Sequence, residues 1–400
     1  MLAQLSPAIR QYLLVTGNYW AFTLTDGALR MLVVLYFHEL GYKPLEIALL
    51  FIFYEFFGVV TNLVGGWLGA RLGLNRTMNI GLALQVAALL MLAVPDTMLS
   101  IPWVMAAQAL SGIAKDLNKM SAKSAIKFLV PENAQSKLYR WVALLTGSKN
   151  TLKGIGFFMG GALLALLGFR GAVITMASAL ALVWLFSVMF LRGDIGKAKS
   201  KPKFTHIFST SRTVNILSAA RFFLFGARDV WFVVALPVFL SSQLGWGHPR
   251  TSAFLAAWII GYGIVQALAP RITGLRNDST ASDHGAARWA ALLMCVPAGI
   301  ALSFTYADDP APYLLWGLAL FGVLFAINSA LHSYLIVRSA KADGASLDIG
   351  FYYMANAGGR LIGTLLSGWL YQSYGMAACL WVSAGFLLIS AISVQRLRHA

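Results

Sequence analysis

The sequence predicts an all-α polytopic membrane protein of twelve transmembrane helices arranged as two six-helix halves. Three observations carry that expectation. Of the 400 residues, 58% are hydrophobic and 12% charged, and the mean hydropathy of +0.70 is far above that of a soluble domain. Twelve apolar stretches approach the roughly 20 residues a helix needs to cross the hydrocarbon. The run Arg192 to Phe204 is the only long polar interval between them, and it divides six from six. Helices are the expected form because in lipid every backbone polar group must be satisfied internally.

The elements follow in order. Span one, 11–36, carries Asp26 and Arg30 and closes on a Leu-Gly-aromatic turn. Span two, 45–69, holds Glu55 and ends in GWLGARLG; span three is 77–95. Span four, 101–123, starts near Pro102 and then places Lys115, Lys119, Lys123 and Lys127 four residues apart, with Asp116 beside the first. Span five, 141–167, starts at Trp141 and sets Lys149 and Lys153 on one face. Its Gly147, Gly156, Gly160 and Gly161 allow close helix packing. Span six is 171–191. The N-terminal half is therefore 1–192, a cytoplasmic linker occupies 193–212, and the C-terminal half is 213–400. The linker lysines are expected to be solvated and drawn to anionic lipid. Span seven, 213–240, carries Arg221, Arg228 and Asp229; span eight, 251–270, ends in ALAPRITG; span nine is 287–306. Span ten, 313–337, holds Asn328 and His332, span eleven, 350–372, holds Arg360, and span twelve is 376–395.

Basic loops set the orientation. With a cytoplasmic N-terminus, one side collects Arg10, Arg71, Arg76, Lys127, Lys137, Arg140, the linker, Arg271, Arg276, Arg288, Arg338, Lys341, Arg396 and Arg398. The other collects Lys43, Arg170 and Arg250, so both termini are expected inside. MLAQLSPAIRQYLLV lacks the short apolar core and cleavage site of a removable signal peptide, so the first span is expected to be retained. Cys295 and Cys379 have no neighbour at ligand spacing and read as small buried hydrophobes.

The halves echo each other. Arg71 ends the second span and Arg271 the eighth; Asp26 marks the first and Asp229 the seventh. Such a repeat predicts a secondary transporter whose site lies between the halves at mid-membrane. Once the loop and interface residues are set aside, nine basic residues remain within the spans: Arg30, Lys115, Lys119, Lys123, Lys149, Lys153, Arg221, Arg228 and Arg360. The interior acids Asp26, Glu55, Asp116 and Asp229 accompany them, a formal excess of five positive charges. Each costs at least about 2.5–3.5 kcal/mol at the centre of a span, so the set implies water, partners or a ligand. At about 1.5 Å per residue, Lys115 and Lys119 lie deep, Lys123 is intermediate, and Lys127 reaches the cytoplasmic interface. Lys149 and Lys153 lie at similar middle depth on the neighbouring span. The predicted site is an anion cavity walled by these lysines, with guanidiniums suited to bidentate oxyanion contacts and with Asn328 and His332 as further contacts. The alternative for the acids and their neighbours is structural pairing, Asp26 with Arg30 and Arg228 with Asp229; proton coupling is the other role open to the four carboxylates.

GGWLGARLGLNR resembles the loop between the second and third helices of the major facilitator superfamily, with Gly66, Arg71, Gly73 and Arg76 on its glycine and basic positions. The resemblance implies a cytoplasmic gating loop, although Ala70 stands where the family usually has Asp, and Leu74 and Asn75 where basic residues are common. It also implies that the first, fourth, fifth, seventh, tenth and eleventh helices line or approach a central cavity, with alternating access. The fifth-helix glycines partly resemble the antiporter motif, whose proline is absent. LVTGNYWAFTLTDGALRMLVVL, FFGVVTNLVGGWLGARLGLNRTMNIGL, LSGIAKDLNKMSAKSAIK and LFGARDVWFVVALPVFL are similar to the organoarsenical efflux permeases, the ArsJ type, of that superfamily. That resemblance implies export of 1-arseno-3-phosphoglycerate across a bacterial cytoplasmic (inner) membrane, arsenate resistance, and a functional partnership with an arsenate-using glyceraldehyde-3-phosphate dehydrogenase. A hard oxyanion ester fits the basic residues, whereas trivalent arsenic would need converging thiolates that two isolated cysteines cannot supply.

No nucleotide-binding glycine loop, HExxH helix or paired-histidine spacing is present, so no catalytic residue, cofactor, metal or nucleic-acid partner is expected. The alternative within the class is an organophosphate or phosphate antiporter of the same fold. The alternative from another class is a membrane-embedded enzyme acting on an anionic substrate.

Overall fold

The computed structural model describes residues 7–42, 50–128, 135–191, 193, 195–198, 208–246, 248–274 and 283–399, and all its regular structure is helical. Lys43, Arg276 and most of the central polar run lie outside them. The first helices are α1 (Pro7–Glu39), α2 (Ile52–Leu72), α3 (Leu74–Leu92) and α4 (Ile101–Ala125). The stretch Gln135–Phe190 is two helices, α5 (135–167) and α6 (169–190), reversed at Gly168, whose φ of 66° and ψ of 176° suit only glycine. Next come α7 (Arg212–Phe232), α8 (Ala235–Ser242), α9 (His248–Ile272), α10 (Asp283–Tyr306) and α11 (Ala311–Ser339). Gly375, at φ 76°, divides Ala345–Gln395 into α12 (345–374) and α13 (376–395) in the same way.

Two boundaries differ from the sequence expectation for identifiable reasons. The third span begins at Leu74 instead of 77, because Gly73 at φ 93° breaks the helix within one residue and the polar Asn75 and Arg76 are already helical. The seventh span is broken between α7 and α8. Pro237 has no N–H to give Val233, four residues back, and its ring crowds that carbonyl. The amides of Val234 and Ala235 turn instead to the Ser367 hydroxyl, at 3.4 and 3.1 Å.

Polarity runs opposite to that of a soluble protein. Leu166 is 79% exposed, Trp316 78% and Leu182 69%, while Gln85, Asn118, Gln266 and His332 are fully buried. Apolar exposure on that scale requires lipid, not water, around the helices. Eight helical stretches are long and apolar enough to cross a membrane, two of them the glycine-bent pairs. The lysine-bearing α4 is not among them. Cys379 is buried as expected; Cys295 is exposed, a correction that follows from its place on an outward face of α10.

Internal contacts define two compact units. The first comprises Met1–Pro131, Ser148–Phe208 and Ala340–Met354; the second comprises Glu132–Gly147, Ser209–Ser339 and Ala355–Ala400. In the first, α4 contacts α1, α2 and α3. There α1 crosses α5 at glycines: a Cβ on Gly27 would lie 2.7 Å from the Lys153 carbonyl, and one on Gly156 2.6 Å from that of Leu24. The second unit repeats the device where α7 crosses α12, a Cβ on Gly363 falling 2.7 Å from the Gly226 carbonyl. Small residues let backbones approach closely, and that fixes the charged side chains nearby. The second unit is filled by Trp231, Trp258, Phe321 and Phe325, with the Trp231 and Phe321 rings edge to face at 4.9 Å.

Candidate functional site

In the first unit the α4 lysines gather on one face. Asp116, 1% exposed, holds two of them: Lys119 Nζ contacts its Oδ1, and Lys115 Nζ lies 3.8 Å from its Oδ2. Lys115 also stands 3.7 Å above the Tyr54 ring, a cation–π contact from α2. Lys123 donates to the Tyr353 hydroxyl at 2.6 Å, and the same ring lies 5.1 Å from Lys119. Lys123, intermediate by sequence, is therefore an interior residue at 3% exposure. Lys127 follows in the terminal 3₁₀ turn and is only half-buried.

Tyr54 links this cluster to α1. Its hydroxyl donates to Asp26 at 2.7 Å. Arg30 pairs with Glu55 at 3.0 Å and packs 5.0 Å from the Tyr54 ring. Lys149 and Lys153 are half-buried on α5, with Lys153 Nζ 5.9 Å from the Phe157 ring.

The second unit holds the guanidiniums. Asp229, fully buried, accepts from Arg228 Nε at 2.6 Å and from Arg360 Nε at 3.0 Å, so the adjacent pair expected from sequence is a triad. The side chains of Arg228 and Arg360 remain 15% and 31% exposed. Arg221 differs. Only 2% exposed, it donates to Asn356 Oδ1 at 2.9 Å and to the Ser329 carbonyl at 3.1 Å, over the Phe225 ring at 3.9 Å. These bonds fasten α7 to α11 and α12. Asn328 donates to the Trp289 and Leu324 carbonyls, both at 2.9 Å, which ties α11 to α10. His332 is fully buried with neither ring nitrogen hydrogen-bonded among the described residues.

The expected loop between the second and third spans is a junction at Gly73 alone, since Gly66 and Arg71 lie inside α2 and Arg76 inside α3. Gly66 backs onto α12, where a Cβ would lie 3.0 Å from the Gly350 Cα. Arg71 and Arg76 are exposed, Arg71 lying 5.2 Å from the Trp67 ring. With Ala70 in the usual Asp position, backbone groups hold the junction instead: Leu74 N donates to the Ile195 carbonyl and Ala198 N to the Ala70 carbonyl, each at 2.8 Å. The backbone at 195–198 is thus docked against this junction, because a helix end offers unpaired backbone groups, while the Lys197 side chain stays exposed.

Sequence reasoning missed Tyr54, Tyr353 and Asn356, and the glycine crossing of α7 and α12. Only the tyrosine pair in FYYMAN and the spacing of Gly359 and Gly363 hinted at them.

Long helices that leave leucines exposed and bury charge in their interior define a polytopic α-helical membrane protein. The sequence profile of the Major Facilitator Superfamily matches residues 15–347, and the chain belongs to that family of transporters. No curated protein sequence matches it. Among solved structures it is similar to the human organic anion transporter MFSD10 (TETRAN), 15% identical over 98% of this chain and 100% of that one, with a TM-score of 0.76. It is likewise similar to the E. coli fucose:proton symporter FucP, at 12% identity over 98% and 99% of the two chains and a TM-score of 0.76. A bacterial homologue of the iron transporter ferroportin in the outward-facing state is 12% identical over 96% and 100%, with a TM-score of 0.72. At these identities the likeness is one of fold. The family makes the protein a secondary transporter and not an enzyme.

Proposed function

We propose that the protein exports an organic oxyanion ester, 1-arseno-3-phosphoglycerate, from the bacterial cytoplasm and so confers arsenate resistance. The observation that carries the reading is the α4 cluster: three buried or half-buried lysines share one carboxylate and two tyrosines. That leaves positive charge in a membrane interior, where an oxyanion is the natural complement. In the first unit the lysines, Lys149 and Lys153 included, offer point charge to an oxyanion; in the second, Arg228 and Arg360 offer planar forks suited to such groups, and His332 and Asn328 offer neutral polar groups. Alternating access of the halves 1–192 and 213–400, joined by the linker 193–212, moves the cargo. Gly66 and Arg71 of α2, Gly73 at the junction and Arg76 of α3 serve as the cytoplasmic gate. Both termini are cytoplasmic, and an arsenate-using glyceraldehyde-3-phosphate dehydrogenase supplies the ester.

The second reading is an organophosphate or phosphate antiporter, favoured by the fact that ammonium and guanidinium groups meet phosphate and arsenate oxygens alike. The test is arsenate resistance in an arsenic-sensitive bacterial host expressing the permease, the dehydrogenase, or both. Resistance that requires both supports the arsenylated cargo. Equal resistance with the permease alone contradicts it, and exchange of phosphate esters without any arsenate phenotype selects the second reading.

A further inference from the structure

Asp116 is the least expected member of the lysine cluster. A site built only to attract anions gains nothing from a buried carboxylate, yet this one is 1% exposed and contacts two of the lysines that the cargo would need. Its two oxygens divide between them, Oδ1 facing Lys119 and Oδ2 facing Lys115. Oδ2 accepts no hydrogen bond among the described residues. The carboxylate thus has the charge, the oxygen donors and the position of one end of an oxyanion ligand. Its backbone is not free to withdraw: α4 is packed closely on α2, where a Cβ on Gly112 would lie 2.6 Å from the Tyr54 carbonyl.

We propose that Asp116 is a resident counter-ion, a built-in competitor that occupies Lys115 and Lys119 when no cargo is bound and retakes them as cargo leaves. This rests on the anion reading of the same site. A carrier that met a doubly charged ester with unpaired lysines would bind it tightly and release it slowly. With Asp116 present, each ion pair gained with the cargo replaces one already made, so binding is weaker and release faster. Tyr54 and Tyr353 hold the ammonium groups in place during the exchange, because a ring face attracts a cation whichever anion is its partner. Lys123 donates to the Tyr353 hydroxyl at 2.6 Å and so tethers the same ring that faces Lys119.

The experiment uses purified full-length protein and radiolabelled 3-phosphoglycerate, a stable ester that shares the phosphate end of the proposed cargo. Equilibrium binding and efflux from liposomes are both measured. Asp116→Asn keeps the shape and removes the charge. It is expected to tighten binding about tenfold and slow efflux by a similar factor. Lys119→Gln is expected to weaken binding, and adding Asp116→Asn to Lys119→Gln should recover affinity, since Lys115 is then released. The double variant removes an acid and a base together and keeps the comparison informative if the single Asp116 variant fails to insert. Binding by folded Asp116→Asn, or by the double variant relative to Lys119→Gln, that is unchanged or weaker overturns the counter-ion. Unchanged binding in Lys119→Gln overturns the anion site itself, a separate failure.

Discussion

Replacing Asp229 with alanine removes the carboxylate between Arg228 and Arg360. At an effective dielectric constant of about 20, contacts of 2.5 and 3.0 Å carry about 5–7 kcal/mol of gross attraction each. Desolvation of three charges offsets most of that, and removing one partner of a buried pair costs about 3–5 kcal/mol net. Arg360 keeps 31% of its side chain exposed and can rehydrate in part, which places the expected loss near the lower bound, about 3 kcal/mol. That is about two decades in the folded-to-unfolded ratio. The assay is the fraction of monodisperse protein that survives heating in detergent, followed by fluorescence-detected gel filtration. Asp229→Ala should melt well below wild type. Asp229→Asn, which keeps one acceptor, should fall between them, and Asp229→Asn with Arg360→Gln should regain most of the loss because no guanidinium is stranded. If Asp229→Ala melts with wild type, the triad contributes nothing to stability and the reasoning fails.

Other outcomes follow from neighbouring geometry. Lys119→Gln, Lys149→Gln and Lys153→Gln should each abolish or severely weaken export at normal membrane abundance, whereas Lys127→Gln should be nearly silent, since an interfacial lysine contributes about 1 kcal/mol of lipid attraction; export normalised to inserted protein checks both. Arg221→Lys should destabilise the second unit by about 1–3 kcal/mol, because one ammonium cannot reach both Asn356 and the Ser329 carbonyl; Asn356→Ala should mimic it in the heating assay. Gly66→Val should insert but transport poorly, since its side chain has no room beside Gly350, and alanine at Gly350 should behave alike. Gly73→Ala should cost about 1–3 kcal/mol, because φ 93° and ψ 152° fall in a region that only glycine adopts readily, read as lower thermal survival.

The fold was legible because hydropathy and span length are properties of local sequence, and twelve apolar stretches could be placed within a few residues of the helices. Where placement slipped, the cause was a residue whose effect is not hydropathic: Gly73 admitting a tight break, or Pro237 dividing α7 from α8 with Ser367 as the replacement acceptor. The charges were equally legible as outliers in an apolar chain. Their partners were not, because pairing across helices depends on rotation and crossing. Arg30 reaches Glu55, 25 positions away, and Lys123 reaches Tyr353 across 230 positions. Arg221 looked like Arg228 in sequence, yet its surroundings commit it to packing while Arg228 retains solvent-accessible surface.

If this carrier moves an oxyanion ester by means of its interior lysines, arsenic transport should depend on both the dehydrogenase and Lys119. Inside-out membrane vesicles containing the protein can be supplied with glyceraldehyde-3-phosphate, NAD⁺, arsenate and purified dehydrogenase, and the arsenic they accumulate measured by elemental mass spectrometry. Accumulation is expected to need the permease, the dehydrogenase and arsenate together and to be lost in Lys119→Gln vesicles with equal protein content. Arsenic uptake that proceeds at the same rate without the dehydrogenase, or persists unchanged in Lys119→Gln, would contradict it.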